Sequence, residues 1–212
     1  MQPVRPTSMT LLGSSRSPFV RKVLVAAHET GLAPLIELRR VIVSANKPNS
    51  EVMAANPLNK IPTLLLADGT TLYDSRVICE FFDSHAPASC LYPSELHRRW
   101  NVLRLQALGD GLMEVSILRL GEHNRPAAAQ SAAHLSSYSA KVAAALDRLE
   151  QEFDDIAGPL QVGQISIACA LAYLDFRFAA DGWRSGRARL GRWYEEFARR
   201  PSMQATQFVD AY

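Results

Sequence analysis

No stretch of this 212-residue chain stays apolar for the roughly 20 residues that a membrane-crossing helix needs. An excess of one charge is missing too. The formal net charge is only +2 at pH 7, so nothing points to nucleic acid or an anionic membrane as a partner. Cysteine is scarce: Cys79, Cys90 and Cys169 are odd in number and far apart. That pattern argues against a disulfide framework or a zinc site, and it suits a reducing, cytoplasmic compartment. The five histidines form no pair at helical ligand spacing, so no metal site is expected. Residues 1–8 have no apolar core of their own and read as a flexible leader, not a secretory signal. Internal repeats and low-complexity tracts are lacking as well.

The remaining composition is that of a soluble globular protein, with 48% apolar and 21% charged residues. The length suits one large domain or two small ones, with a real core. The first half alternates strand and helix signals. Residues 9–13 read as a strand and 18–30 as a helix, with Val20, Val23, Leu24 and Ala27 on one face and Gly31 as its stop. A second strand is expected over 35–43, then an irregular or weakly helical crossover over 45–55. Residues 63–66 and 71–73 flank Asp68-Gly69, a hairpin turn signal. Residues 76–84 close this α/β domain, 9–85, as a helix.

Residues 86–95 form a proline-bearing linker, and beyond it the strand signals disappear. Trp100, Leu103, Ala107, Leu108, Leu112 and Val115 recur at helical spacing, as do Leu135, Tyr138, Val142, Leu146, Leu149 and Phe153. Residues 165–178 are apolar nearly all round, which predicts a helix buried in the middle of a bundle. Leu190, Trp193 and Phe197 mark a further amphipathic helix, stopped by Pro201. The expected second domain, 96–212, is all-helical.

Two motifs in the first domain carry chemistry. Asn56-Pro57-Leu58-Asn59-Lys60-Ile61-Pro62 places an Ile-Pro pair before an apolar strand, a candidate cis peptide in a tight turn. Such a turn would present the backbone N–H and C=O of Ile61 to a peptide-like ligand, as an added strand. Asp74-Ser75 then opens a helix, and helix N-termini bind carboxylates through free N–H groups and the dipole. A peptide-gripping turn beside an anion-gripping turn suggests a small anionic peptide. Glutathione fits that description.

The first helix opens with Ser17-Pro18-Phe19. Pro18 suits the first helical position, which makes Ser17 the N-cap. Capping alone would account for the serine. In this context its hydroxyl could also donate to a ligand thiolate. Lowering a thiol pKa by about two units takes roughly 2.7 kcal/mol. One hydrogen bond to a charged group supplies about 1.5–3 kcal/mol, and a helix terminus adds about 0.3–1 kcal/mol. A hydroxyl at a helix end therefore suffices without a general base, and the serine is a donor rather than a covalent nucleophile.

Together these stretches, with the helical second half, resemble the cytosolic glutathione S-transferases. Leu108-Gly109-Asp110-Gly111-Leu112-Met113, Arg125-Pro126-Ala127-Ala128, Ile165-Ser166-Ile167-Ala168-Cys169-Ala170 and Tyr173-Leu174-Asp175-Phe176-Arg177 are similar to the bacterial YibF-type branch. The resemblance spans about residues 9–205. It implies a thioredoxin-like N-terminal domain, an all-α helical-bundle C-terminal domain, a homodimer, and glutathione as co-substrate with no metal.

The resemblance also implies roles. Ser17 would contact the sulfur, where omega-type members have cysteine and tau-type members serine. Ile61, beside cis-Pro62, would pair with the cysteinyl unit. Asp74 and Ser75 would hold the γ-glutamyl amine and carboxylate. Lys60 or Lys47 would meet the glycyl carboxylate, unless each is simply a solvated charge. Phe19 is counted among the glutathione contacts. Because isomerase-type members begin their site with Ser-Ser, Ser14 or Ser15 could replace Ser17. An electrophile pocket is expected from Leu112, Met113, Ser116 and Arg119.

The chain departs from the family pattern at Ser166-Ile167-Ala168-Cys169, read here as the buried helix's capping box with Cys in place of Asp. A thiol caps poorly, so that helix start must be satisfied in another way. Ser17 and Val20 stand where a glutaredoxin has its two cysteines, so dithiol exchange is not available there. Cys79 and Cys169 are expected in the core. The expected function is transfer of glutathione to a small electrophile. The alternatives are a glutathione-dependent isomerase or peroxidase, or a non-catalytic binding protein of the same fold.

Overall fold

Residues 7–44, 46–86 and 91–210 are described by the structure, a computed structural model. Residues 1–6 of the expected leader, residues 87–90 of the expected linker, with Cys90 among them, and the last two residues lie outside them. The chain contacts divide into two compact units. One is built from the residues up to Pro93 together with those from Pro201 onward; the other is Ser94–Arg200.

The first unit holds a mixed four-stranded sheet in the order β2-β1-β3-β4, formed by β1 (Met9–Gly13), β2 (Ile36–Arg40), β3 (Thr63–Leu65) and β4 (Thr71–Leu72). β2 runs parallel to β1, β3 antiparallel to β1, and β4 antiparallel to β3. Helix α1 (Pro18–Glu29) makes the crossover from β1 to β2, α2 (Ser50–Ala55) lies between β2 and β3, and α3 (Ser75–His85) follows β4. This is a thioredoxin-like domain. Leu11, Leu12, Leu64, Val23 and Ile78 are completely or almost completely buried in it.

The elements differ from the sequence reading in instructive ways. α1 ends at Glu29, and Gly31 follows with φ 73°, as expected of a stop. Its burial is not confined to one face: Pro18, Arg21, Lys22, Val25 and Ala26 are buried as well. α3 packs against α1, and so does α9 (Pro201–Ala205), so α1 is sandwiched rather than laid on a surface. The second strand is shorter than 35–43, because beyond Arg40 only the Val41 N–H still reaches the β1 end, at the Gly13 carbonyl (2.9 Å). The crossover contains a true helix, α2, because the Asn49 side chain caps it by accepting from the N–H groups of Glu51 and Val52 (3.0 and 3.3 Å). The Asp68-Gly69 turn forms as read: the Thr70 N–H donates to Asp68 Oδ1 at 2.9 Å.

The second unit is helical: α4 (Leu96–His123), α5 (Ala132–Gln151), α6 (Phe153–Ile156), α7 (Val162–Arg177) and α8 (Ala188–Phe197). α4 packs on α5 and most closely on α7. That contact depends on two glycines. A Cβ on Gly109 would lie 2.6 Å from the Ser166 carbonyl carbon, and one on Gly163 would lie 2.8 Å from Leu105 Cβ.

α7 corrects the sequence reading. It begins at Val162 with Gln161 in the N-cap position, so Ser166 and Cys169 are interior residues and not a capping box. The Gln161 side chain makes no cap bond. Instead, Gln164 in the first turn donates from Nε2 to the Ile156 carbonyl (3.3 Å). A second correction concerns the end of the chain. Residues from Pro201 belong to the first unit, whereas the sequence reading ran the helical domain to 212. Arg21 donates to the Met203 carbonyl (3.1 Å) and Ser202 to Glu29 (2.5 Å), which holds α9 against α1.

Candidate functional site

The sheet register decides which loops meet. Leu12 is paired with Thr63, so the turn after β1 and the turn before β3 leave the same end of the sheet. Leu64 is paired with Leu72, which brings the turn after β4 to that end as well. Gly13 is paired with Arg40 in parallel, so the segment after β2, with Lys47, also starts there. Ser17, Ile61-Pro62 and Asp74-Ser75 therefore converge, although up to 58 positions separate them in sequence.

Ser17 is the N-cap of α1. Its Oγ accepts from the Val20 N–H at 3.3 Å, and the residue is half-buried. A serine hydroxyl that accepts a cap bond still has its own hydrogen to donate. Phe19 beside it is half-buried. Ser14 Oγ accepts from the Arg16 N–H (3.3 Å). Ser15 is different, because its hydroxyl donates to the Val209 carbonyl at 2.9 Å and is committed there.

The Ile61-Pro62 peptide is cis. Asn56 builds the turn in front of it: its Nδ2 donates to the Lys60 carbonyl (3.2 Å) and to Thr63 Oγ1 (3.1 Å), and its Oδ1 accepts from the Leu58 N–H (3.1 Å). The Ile61 side chain packs on the cluster of Leu12, Val41 and Val52. Among the described residues, the Ile61 N–H and C=O have no hydrogen-bond partner. Lys60 and Lys47 are exposed, and among the described residues neither ammonium has a partner.

Asp74 caps α3 by accepting from the Arg76 N–H at 2.9 Å, and the Tyr73-Asp74 peptide is also cis. Asp74 is exposed, whereas Ser75, the first residue of α3, is only 3% exposed. Its Oγ accepts from Lys22 Nζ on α1 at 3.2 Å. The sequence reading did not single out Lys22. The available signal was a lysine among the apolar residues of a helix that proved to be buried nearly all round.

The four residues named for an electrophile lie on α4. Leu112, Met113 and Ser116 are buried, and the Ser116 hydroxyl donates back to the Leu112 carbonyl at 2.7 Å. Arg119 is paired with Asp181 through both terminal guanidinium nitrogens, one at 3.2 Å, and its guanidinium lies 4.4 Å from the centre of the Phe178 ring. It lines a cavity of about 100 Å³ inside the helical unit, with Asp181, Trp183 and Arg187. The exposed apolar side chains of this stretch are Ile117 and Leu118, which helical spacing alone did not single out.

Cys79 and Cys169 are fully buried, in the core as expected. Among the described residues, no three of His, Cys, Asp and Glu gather as a metal-holding group, and no helix is long and apolar enough to cross a membrane.

Comparison with known proteins agrees with this fold. The profile of the glutathione S-transferase N-terminal domain matches residues 16–85, and that of the C-terminal domain matches 132–196. The chain is 32% identical over 202 residues to the uncharacterized GST-like protein YibF of Escherichia coli strain K12, covering 94% of this chain and 98% of that one. Among solved structures it is similar to a glutathione transferase family member from Pseudomonas fluorescens Pf-5 with bound glutathione. That protein is 39% identical, with a TM-score of 0.93 over 95% of this chain and 100% of that chain. The same relative with bound S-(propanoic acid)-glutathione gives a TM-score of 0.88, with the same identity and coverage.

Proposed function

The chain belongs to the glutathione S-transferase family, and on that premise we propose that it is a glutathione transferase acting through Ser17. The observation that carries this reading is the register that sends the turns of Ser17, Ile61-Pro62 and Asp74-Ser75 to one end of the sheet. The Ile61 N–H and C=O pair with the cysteinyl unit of glutathione as an added strand. Asp74 takes the γ-glutamyl amine, and Ser75 with the α3 N-terminus takes its carboxylate. Lys60, whose ammonium is exposed, meets the glycyl carboxylate, with Lys47 as a second source of charge.

The Ser17 hydroxyl then donates to the sulfur. Its O–H and the α1 dipole stabilise the thiolate over the thiol, and the proton is released to solvent. The sulfur lone pair forms the new C–S bond. A halide electrophile loses its leaving group with the bonding pair; an activated alkene takes up a proton instead. The relative that holds an S-alkylated glutathione supports conjugation as the reaction class. The commitment of the Ser15 hydroxyl to Val209 favours Ser17 over the Ser-Ser arrangement of an isomerase. Two copies paired about a twofold axis and a cytoplasmic location complete the reading.

Calorimetry with glutathione tests it, comparing the native protein with Ser17→Ala between about pH 5.5 and 8.5, the range that spans a free and a depressed thiol pKa. The expected result is a bound thiol that ionises about two units below its free value in the native protein alone. Binding with the same ionisation in both proteins moves the role away from Ser17. No binding in either overturns the enzyme reading.

A further inference from the structure

The chain contains only four lysines, and three of them, Lys47, Lys60 and Lys141, are exposed. Lys22 is the exception, with 0% exposure. A buried ammonium is among the least favourable groups to place in a protein interior unless hydrogen bonds and charges hold it. One of its bonds joins α1 to α3: Lys22 Nζ donates to Ser75 Oγ at 3.2 Å, and Ser75 is itself only 3% exposed.

The direction of this bond is fixed, because an ammonium has three donors and no acceptor. Ser75 Oγ must therefore accept from Lys22. With that lone pair occupied, the rotor of the hydroxyl is biased and its own hydrogen points away from the ammonium. Ser75 is the first residue of α3, where backbone N–H groups lack partners within the helix. Asp74 Oδ1 takes the Arg76 N–H. Among the described residues the Ser75 N–H has no partner. Ser75 thus offers two donors from one buried position.

We propose that Lys22 is a positioning residue for the γ-glutamyl carboxylate of glutathione: by occupying the acceptor side of Ser75, it holds the serine hydroxyl as a donor. This rests on the reading that Asp74 and Ser75 hold the γ-glutamyl group. Lys22 acts through Ser75 and does not touch the ligand. The consequence is specificity at that end of the peptide. A free hydroxyl would accept or donate with little preference. One locked as a donor favours an anion.

Two ligands separate the cases: glutathione, and γ-aminobutyryl-cysteinyl-glycine, which keeps the amine, thiol and glycyl carboxylate but lacks the γ-glutamyl carboxylate. Their dissociation constants would be measured by calorimetry for the native protein, Lys22→Met, Ser75→Ala and the double variant, with a melting curve for each. The expected result for Lys22→Met is glutathione weakened about tenfold, with binding of the analogue changed by less than about twofold. In the Ser75→Ala background the same substitution should change glutathione binding by less than about twofold, because the group it acts through is gone.

Equal weakening of both ligands by Lys22→Met would reduce Lys22 to a structural role, and no weakening of either would remove it altogether. A native protein that binds the two ligands equally well would overturn the γ-glutamyl reading itself, whatever Lys22 does. Should Lys22→Met fail to fold, the native protein labelled with ¹⁵N-lysine supplies the readout. The buried ammonium is the one shielded from exchange with water, and its resonance should shift on saturation with glutathione but not with the analogue. A resonance unmoved by glutathione overturns the proposal.

Discussion

Ser15 and Val209 hold each other through two hydrogen bonds: the Ser15 hydroxyl donates to the Val209 carbonyl at 2.9 Å, and the Val209 N–H donates to the Ser15 carbonyl at 3.3 Å. Arg16 adds an ion pair to Asp210 at 2.7 Å, and Arg21 stacks over Phe208 at 4.7 Å. The end of the chain thus straps the turn that leads into Ser17. The strap touches Ser15 and Arg16 before Ser17 and Arg21 after it, and not Ser17 itself.

Removing residues from Gln207 onward should loosen that turn while leaving the sheet intact. The expected outcome is an apparent affinity for glutathione about threefold to tenfold weaker, with a small drop in melting temperature. Steady-state kinetics and a melting curve on the truncated protein check it. Unchanged kinetics would mean that the turn holds its shape alone.

In the proposed function Ser17 serves stability and chemistry with the same oxygen, and two substitutions separate them. Ser17→Ala removes both cap and hydroxyl and should cost about 0.5–2 kcal/mol, whereas Ser17→Gly costs only a few tenths, because glycine is tolerated at an N-cap. Both should lower kcat/KM alike, by about a hundredfold. Denaturant melts and kinetics on the pair decide it. If activity follows stability instead, Ser17 is only a cap.

The α4–α7 contact predicts opposite signs for two glycine substitutions in one helix. Gly109→Ala forces a methyl against the Ser166 backbone and should destabilise by about 1–3 kcal/mol or more. Gly121→Ala meets nothing within 4 Å and should stabilise by about 0.5–1 kcal/mol. Urea unfolding of both variants is the check.

Acid should weaken the helical unit through three of its carboxyls. Glu95 is held below the ordinary glutamate range by the Arg98 and then the His97 N–H groups, Glu122 by the Ser131 N–H, and Glu152 by the Arg104 side chain and then by Arg148. Each carboxyl is a stronger acid in the folded state, so the unfolded chain binds more protons as the pH falls. Their contribution is complete above the unfolded value of about 4.3 and is lost as the pH drops through the lower folded values. Melting temperature should therefore stay level from neutral pH to about 5 and fall below it, less steeply in Glu122→Gln.

The residues that sequence reading placed correctly are those whose cause is local. Ser17 caps its own helix, Pro62 fixes its own peptide, Gly31 stops α1, and Asp68-Gly69 makes its own turn. What it missed depends on partners far along the chain. Ser15 meets Val209 across 194 positions and Arg21 meets Met203 across 182, and nothing near either residue announces it. The opening of α7 was misplaced because Gln161 is not a capping residue type, while an interior serine looked like one. Lys22 was passed over because burial on all sides of α1 comes from α3 and α9, not from its own period.

The first unit is assembled from two pieces of chain that flank the helical unit, and this sets an order during synthesis. A domain folds once all its residues have left the ribosome. At about 5–20 residues per second, the stretch from Ser94 to Arg200 occupies translation for on the order of 10 s. For that interval the residues of the sheet and of α1 are made but lack α9 and the strap on Ser15. The helical unit is contiguous, and its last residue is made before the second piece of the first unit. The first unit, begun earlier, is therefore finished last, and a nascent chain cut short before Pro201 would carry every residue of the proposed site without the segment that holds Ser15.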